Sequence, residues 1–208
     1  MRLSDLVHEN LVAGRRARLL CSHLADLIHR DSRVLDVGCG DGLIAQLLMQ
    51  MRSDLSFQGI DVLIRPGTRI PVEAFDGQRI PLENDSFDAV MLIDVLHHAE
   101  DPLKLLEEAL RVSRNVVLIK DHILEGFLAG PTLRFMDRVG NLRHNVSLRY
   151  DYWPRERWVQ VFESLGVQVT AWNQCLGLYP WPAKWVFERS LHFLARLEVG
   201  AFERLVEG

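Results

Sequence analysis

The sequence is poor in cysteine and contains no long apolar run. Its three cysteines, Cys21, Cys39 and Cys175, lie far apart and form no CxxC pair. This spacing indicates neither a disulfide framework nor a cysteine-based zinc site, and it is typical of a chain that is kept reduced in the cytoplasm. No segment is long and apolar enough to predict a transmembrane helix. The first ten residues carry two acids and do not resemble a secretory signal.

An excess of basic residues is also absent, since the formal net charge is −4. Nucleic-acid binding usually requires a basic surface, so we expect no nucleic-acid partner. The composition, with 48% hydrophobic and 25% charged residues, is that of an ordinary globular protein. We predict a single domain over 1–208: a helical cover (1–30), a core (31–120), an insert (121–152) and a C-terminal part (153–208). A monomer or homodimer is expected.

Apolar periodicity predicts strands and helices that alternate through about the first 120 residues. Such alternation is typical of a parallel α/β sheet, and we predict a doubly wound, Rossmann-like, seven-stranded sheet. The predicted strands are Arg33–Val37, Phe57–Val62, Pro71–Phe75, Phe87–Val95, Asn115–Ile119 and Val167–Trp172. The predicted helices are Leu6–Ile28, Leu43–Met51, Pro102–Val112 and Pro154–Leu165, with Asp101 as an N-cap. Residues Leu191–Leu197 fit a strand or a helix equally well.

The segment Leu124–Tyr152 interrupts this alternation with three glycines, a proline and several aromatic residues. We predict an irregular insert with a helix near Thr132–Val139. Long connections inside compact domains are usually functional, so we expect a partial lid that forms one wall of an acceptor pocket. A second aromatic and proline-containing segment, Trp172–Trp185, is predicted to be a mobile flap or a subunit contact.

A glycine-rich loop follows the first predicted strand in the segment Val34–Gly42, which reads VLDVGCGDG. Glycines allow a sharp turn and the close approach of a ligand. The segment contains neither a P-loop motif nor the third glycine of GxGxxG. Asp36 would repel a pyrophosphate but would attract a cationic ligand. Asp61, at the end of the second strand, suits either the ribose hydroxyls of a cofactor or a solvated turn.

Three motifs together resemble the class I S-adenosylmethionine-dependent methyltransferases, in the branch that includes the ubiquinone and menaquinone biosynthesis methyltransferases. They are VLDVGCGDG, GIDV at Gly59–Val62, and the stretch Phe75–Pro102. The resemblance covers Arg33 to about Lys120. It does not include the usual Lys-Pro-Gly-Gly turn before the fifth strand, where this chain has Arg111–Asn115 (RVSRN).

The resemblance implies S-adenosylmethionine as the methyl donor and assigns residues to each part of it. The methionine portion is expected at Asp36, Gly38, Cys39 and Gly40. The ribose and adenine are expected at Asp61, Val62, Asp76 and Gly77. Ile93 and Asp94 are expected near the amino group and the transferring methyl.

Imidazole and carboxylate groups follow the fourth and fifth strands, where ligands bind in such sheets. His97, Asp121 and His122 are therefore candidates for a general base, and structural packing is the alternative for each. With Asp94 they form a conceivable metal-ligand set, but no spacing rule selects it and we predict no metal.

The predicted function is methyl transfer from S-adenosylmethionine to a small-molecule acceptor. The main alternative is a non-catalytic subunit that binds S-adenosylmethionine and supports a second enzyme. A nicotinamide oxidoreductase is the weaker alternative, because Asp36 and the missing third glycine argue against it.

Overall fold

The computed structural model describes the backbone of residues 3–141 and 150–200, and the side chains of residues 14–139 and 150–200. The elements follow one another as α1 (Leu3–Ala25), β1 (Arg33–Val37), α2 (Leu43–Met51), β2 (Ser56–Asp61), β3 (Val72–Ala74), β4 (Phe87–Ile93), a 3₁₀ turn (Leu96–His98), α3 (Pro102–Val112), β5 (Ser113–His122), α4 (Ala129–Asn141), α5 (Arg155–Ser164), β6 (Gln168–Asn173), α6 (Lys184–Phe187) and β7 (His192–Glu198).

The strands form one seven-stranded sheet in the order β3-β2-β1-β4-β5-β7-β6. Strands β1 to β5 are parallel, and β7 runs antiparallel to both of its neighbours. The predicted Rossmann-like α/β class is therefore confirmed. The segment Leu191–Leu197, which periodicity left ambiguous, is a strand because it pairs with β5 on one side and with β6 on the other.

Helices cover both faces of the sheet. One apolar cluster joins Leu24 of α1 and Leu48 of α2 to one face of the sheet, and another joins Leu106 of α3 and Trp158 of α5 to the other face. Strand β4 is fully buried over most of its length, which explains its nearly continuous apolar run.

The start of α3 follows the sequence signal. The side chain of Asp101 accepts a hydrogen bond from the backbone N–H of Lys104 at 3.1 Å, and Pro102 occupies the first turn. This arrangement satisfies one of the helix's unpaired N–H groups and confirms the predicted N-cap.

Some boundaries differ from the prediction. Helix α1 ends at Ala25 and not at Ile28, and the backbone carbonyl of Leu27 accepts a hydrogen bond from Arg196 of β7. Strand β5 extends to His122 because its pairing with β7 continues to that residue. Residues 62–71 connect β2 to β3 without a helix, and this loop contains two prolines and Gly67 in the left-handed region.

The predicted insert contains a longer helix than its pattern indicated, because α4 spans Ala129–Asn141. Leu133 of α4 packs with Tyr152 and Leu191 in a small apolar cluster. Residues 142–149 of the insert lie outside the described part. Over the described residues, the helices are too short or too polar to cross a membrane.

Candidate functional site

The glycine loop between β1 and α2 adopts a conformation that side chains disfavour. Gly38, Gly40 and Gly42 have φ angles of 69°, 61° and 79°. A Cβ atom on Gly38 would lie 2.6 Å from a methyl group of Val95, too close to be accommodated without a shift. A Cβ atom on Gly40 would lie 3.1 Å from the Arg65 guanidinium. The atoms nearest to this Cβ position therefore belong to a flexible side chain, which a ligand can displace.

Asp61 connects this loop to the end of β2. Its Oδ2 accepts a hydrogen bond from the backbone N–H of Gly40 at 2.8 Å, and its Oδ1 accepts one from the N–H of Leu63 at 2.9 Å. The side chain is largely buried. The carboxylate thus stabilises the loop conformation while standing at the carboxyl edge of the sheet.

Asp36 brings a second carboxyl group to this corner. It is 2% exposed, and burial together with the charge of Asp61 raises its pKa to about 7. Burial, with the charges of Asp36 and Asp61, also raises the pKa of the neighbouring Cys39 thiol to about 12. Burial is the larger cause for both groups and the neighbouring carboxylates add to it, so a bound cation would favour the ionised form of Asp36.

The residues predicted for the adenine lie beyond Asp61. Val62 is exposed, and a Cβ atom on Gly77 would lie 3.1 Å from its side chain, so the two residues adjoin. The Asp76 carboxylate accepts hydrogen bonds from the backbone N–H groups of Gln78 and Arg79, and these bonds lower its pKa. Asp76 therefore shapes its own turn as well as facing solvent.

Two cavities open near these residues. The larger, about 830 Å³, includes Asp76 but none of the three loop glycines. The smaller, about 280 Å³, is lined by Ile93 and Asp94 at the end of β4 and by Arg16, Lys120 and Leu178. The smaller cavity is more relevant to the predicted chemistry, because it adjoins the residues expected near the transferring methyl.

Asp94 forms an ion pair that the sequence motifs do not indicate. Its carboxylate contacts the Nζ atom of Lys120, a residue of β5 that is 1% exposed. Burial opposes ionisation of Asp94, but Lys120 outweighs it and holds the pKa of the carboxyl well below its usual range. Lys120 Nζ also lies 3.4 Å from Nδ1 of His192 in β7. The available signal was the position of Lys120 directly after the apolar run Val116–Ile119.

His97 and Asp121 form a buried pair at the carboxyl edge. The Nδ1 atom of His97 lies 2.6 Å from Oδ1 of Asp121, which also accepts the backbone N–H of His122 at 2.7 Å. Burial disfavours the imidazolium, but Asp121 and Asp137 outweigh this effect and raise the pKa of His97 to about 10. His97 is therefore a protonated partner of Asp121 at neutral pH.

The insert reaches this pair through α4. Oδ2 of Asp137 lies 3.4 Å from Nε2 of His97, and the Tyr152 hydroxyl donates a hydrogen bond to the same carboxylate. Both Asp137 and Tyr152 are buried. Asp137 was not among the predicted site residues, because its approach to His97 depends on where the tertiary structure places α4.

His122 differs from His97 in its electrostatics. Burial and the charge of Lys120 lower its pKa, so its imidazole is neutral at neutral pH. Its Nδ1 lies 3.5 Å from Oδ1 of Asp121 and 3.7 Å from Oδ1 of Asp94. The fold thus brings the three predicted catalytic residues together, next to Asp94.

Among the side chains that the structure describes, two groups of three have ligand atoms close enough to hold a metal ion. One comprises His97, Asp121 and His122, and the other comprises His97, His98 and Asp137. The first group shares three residues with the conceivable ligand set Asp94, His97, Asp121 and His122. The hydrogen bonds of Asp121 account for the first group without an ion.

Comparisons with known proteins find similarity to methyltransferases. Residues 35–117 match a family described as a methyltransferase domain. The chain is 26% identical over 93 residues, or 37% of its length, to a ubiquinone biosynthesis O-methyltransferase of Histophilus somni. It is 30% identical over 95 residues, or 39% of its length, to a 27-O-demethylrifamycin SV methyltransferase of Amycolatopsis mediterranei. The matches span only 38% and 35% of those relatives.

The fold also occurs among solved structures. One chain of a complex between the Haloferax volcanii Trm112 methyltransferase activator and a methyltransferase superposes with a TM-score of 0.64 at 15% identity. The superposition covers 92% of this chain and 94% of that one. At this identity the similarity shows the fold alone. The methyltransferase domain match covers residues 35–117, and over this core segment the chain is similar to the class I S-adenosylmethionine-dependent methyltransferases.

Proposed function

We propose that this chain binds S-adenosylmethionine at the glycine loop and transfers its methyl group to a small-molecule acceptor at the carboxyl edge of the sheet. The observation that carries the proposal is the placement of three carboxylates, Asp36, Asp61 and Asp94, at the ends of β1, β2 and β4. Burial and then the charge of Asp61 raise the pKa of Asp36, so a nearby positive charge would stabilise its ionised form. A sulfonium and an ammonium group supply that charge.

When bound, S-adenosylmethionine supplies an electrophilic methyl group on its sulfonium. The roles of the chain are to bind, to orient and to exclude water. Asp61 keeps the loop open at Gly40 and presents a carboxylate to the ribose. Asp94 faces the methionine amino group and is held in place by Lys120. Most of the rate enhancement then comes from positioning the two reactants.

The acceptor is proposed to enter by the cavity that Asp94 and Lys120 line. The insert is proposed to act as a wall and partial lid beside this cavity. The support for this role is the contact between Asp137 of α4 and His97 at the carboxyl edge, since the cavity itself is lined by residues of other elements. The names of the two curated relatives specify a ubiquinone biosynthesis intermediate and a rifamycin as O-methylated molecules, and this supports a small-molecule acceptor.

His122 is the proposed base for an acceptor that must lose a proton. Its imidazole is neutral, whereas His97 is protonated through its pairing with Asp121. A neutral imidazole can accept a proton, and an imidazolium cannot. Asp121 then acts as a positioning residue, since it binds the backbone N–H of His122 and the ring of His97.

Two measurements test the proposed function. Calorimetric titration with S-adenosylmethionine and with NAD should show binding of the first only. Incubation with fractionated small-molecule extracts should then produce S-adenosylhomocysteine in at least one fraction. Binding of NAD without S-adenosylmethionine would refute the cofactor assignment. Binding of S-adenosylmethionine without turnover in any fraction would favour the non-catalytic partner-subunit alternative.

A further inference from the structure

The described surface has a concentration of exposed aromatic and aliphatic side chains beside the carboxyl edge of the sheet. We call it the aromatic face and define it by Phe127, Leu128, Phe135, Trp181, Trp185 and Val186. Phe127 is 83% exposed, Trp181 73% and Trp185 69%. Soluble monomers rarely leave large aromatic side chains grouped in this way without a binding partner.

Two segments that are distant in sequence meet to form this face. The guanidinium of Arg189 donates hydrogen bonds to the backbone carbonyl of Phe127 at 3.1 Å and to the hydroxyl of Thr132 at 3.1 Å. The rings of Phe135 in α4 and Phe187 in α6 stack with their centroids 6.2 Å apart. The start of the insert and the segment around α6 are therefore held against each other.

The charges on these segments have mostly one sign. Within residues 124–139 and 181–190, the exposed charged side chains are Arg134, Arg138, Lys184, Arg189 and Glu125. The carboxylate of Glu125 already accepts a hydrogen bond from the backbone of Arg155. This basic character contrasts with the chain's net charge of −4. The aromatic face is therefore both apolar and locally positive.

We infer that the aromatic face docks onto the surface of an anionic lipid bilayer. Tryptophan and phenylalanine insert at the boundary between headgroups and acyl chains, and flanking arginine and lysine attract anionic headgroups. A symmetric dimer through this face would instead oppose its four basic residues with the same four residues. The lipid surface is thus the occupant that both the apolar area and the charge favour.

The location of the face indicates the acceptor class, an inference that rests on the proposed function. The Tyr179 ring packs against Phe187 with centroids 5.5 Å apart, and the Arg16 guanidinium lies 4.4 Å from the centre of the same ring. Arg16 in turn lines the cavity that contains Asp94. An amphipathic, membrane-dissolved acceptor can therefore pass from the bilayer to this cavity along one edge of the molecule.

Co-sedimentation with lipid vesicles tests the docking directly. The full chain should sediment with vesicles of equal parts phosphatidylcholine and phosphatidylglycerol, and much less with vesicles of phosphatidylcholine alone. The double substitution Trp181→Ala/Trp185→Ala should weaken binding by about tenfold or more, because it removes the apolar anchors. Met51→Ala is the matched control, since Met51 is an exposed apolar residue at the opposite edge of the sheet.

Charge-reversal variants test the electrostatic contribution to vesicle binding. Arg134→Glu/Arg138→Glu should abolish the preference for anionic vesicles, whereas Arg30→Glu at the opposite edge should not. Added salt should weaken binding of the wild-type chain. Circular dichroism and calorimetric binding of S-adenosylmethionine should be unchanged in every variant, which separates failure of docking from failure of the cofactor site.

Three results would overturn the inference. The first is equal sedimentation of the wild-type chain with both vesicle types. The second is vesicle binding by the tryptophan double variant at the wild-type level. The third is a wild-type chain that does not bind vesicles but forms a concentration-dependent dimer, which the tryptophan substitutions disrupt.

Discussion

The carboxylate of Asp61 accepts a hydrogen bond from the backbone N–H of Gly40 at 2.8 Å. The acid that ends β2 therefore also holds the loop that follows β1. Because the two elements are neighbouring parallel strands, this bond couples the predicted ribose site to the predicted methionine site. A substitution at Asp61 should consequently affect both parts of the cofactor.

The first prediction concerns this coupling. Asp61→Ala removes the acceptor of two backbone N–H groups and of the ribose hydroxyls. Hydrogen bonds to a charged group contribute roughly 1.5–3 kcal/mol each, so affinity for S-adenosylmethionine should fall by about tenfold or more. Asp61→Asn keeps one side-chain oxygen, so its affinity for S-adenosylmethionine should fall less than that of Asp61→Ala. Calorimetric titration measures both, and unchanged affinity in Asp61→Ala would refute the assignment.

The second prediction separates backbone strain from loss of the ligand site. Gly40→Ala and Gly67→Ala both place a side chain at a positive φ, 61° and 71° respectively. Each should cost about 1–2 kcal/mol of folding stability. Only Gly40 has a neighbouring group within 4 Å of the new Cβ, and only Gly40 lies on the predicted cofactor path. Binding of S-adenosylmethionine should therefore be lost in Gly40→Ala and retained in Gly67→Ala. Equal affinities would move the site elsewhere.

The third prediction concerns proton release from Asp36. Burial and Asp61 raise the pKa of the free protein's Asp36 to about 7, so the carboxyl is partly protonated near neutral pH. A bound cation lowers this pKa, and binding must then release a proton. Affinity for S-adenosylmethionine should increase as the pH rises through about 7.

Calorimetry in buffers of different ionisation enthalpy checks the sign of this proton transfer. The apparent enthalpy should vary with the buffer for the wild type and should not for Asp36→Asn. Proton uptake by the wild-type protein would contradict the prediction.

The fourth prediction concerns the stability of the His97–Asp121 pair. The pKa of His97 is raised from 6.5 to about 10 in the folded protein. A raised pKa stabilises the fold fully below the unfolded value and ceases to do so as the pH passes through the folded value. This contribution should therefore be complete below pH 6.5 and should disappear near pH 10.

Urea unfolding of the wild type and of His97→Gln measures this contribution to the free energy of unfolding. At low pH the variant should be less stable than the wild type by about 3–5 kcal/mol, because Asp121 loses its buried cationic partner. The difference should shrink toward pH 10. A difference that stays constant with pH would indicate that His97 contributes packing only.

Local sequence patterns were sufficient for most of the fold. The apolar run at Phe87–Ile93 indicated a strand buried on both faces, and Asp101 followed by Pro102 indicated the start of α3. The glycine spacing and Asp36 indicated the loop between β1 and α2. This was possible because the conformation of that loop depends on residues adjacent in sequence. These features are short-range, so periodicity and residue type are enough to predict them.

What the sequence determined by itself is thus the α/β class, the order of the core elements and the positions of the loop acids. Only the tertiary structure decided that Lys120 pairs with Asp94, that Asp137 of the insert approaches His97, and that α4 and α6 combine into the aromatic face. The two residues in each of these contacts are at least 26 positions from each other in the sequence. No local pattern selects such partners, because the choice depends on how the sheet aligns its carboxyl ends and on which side chains share the space that packing leaves there.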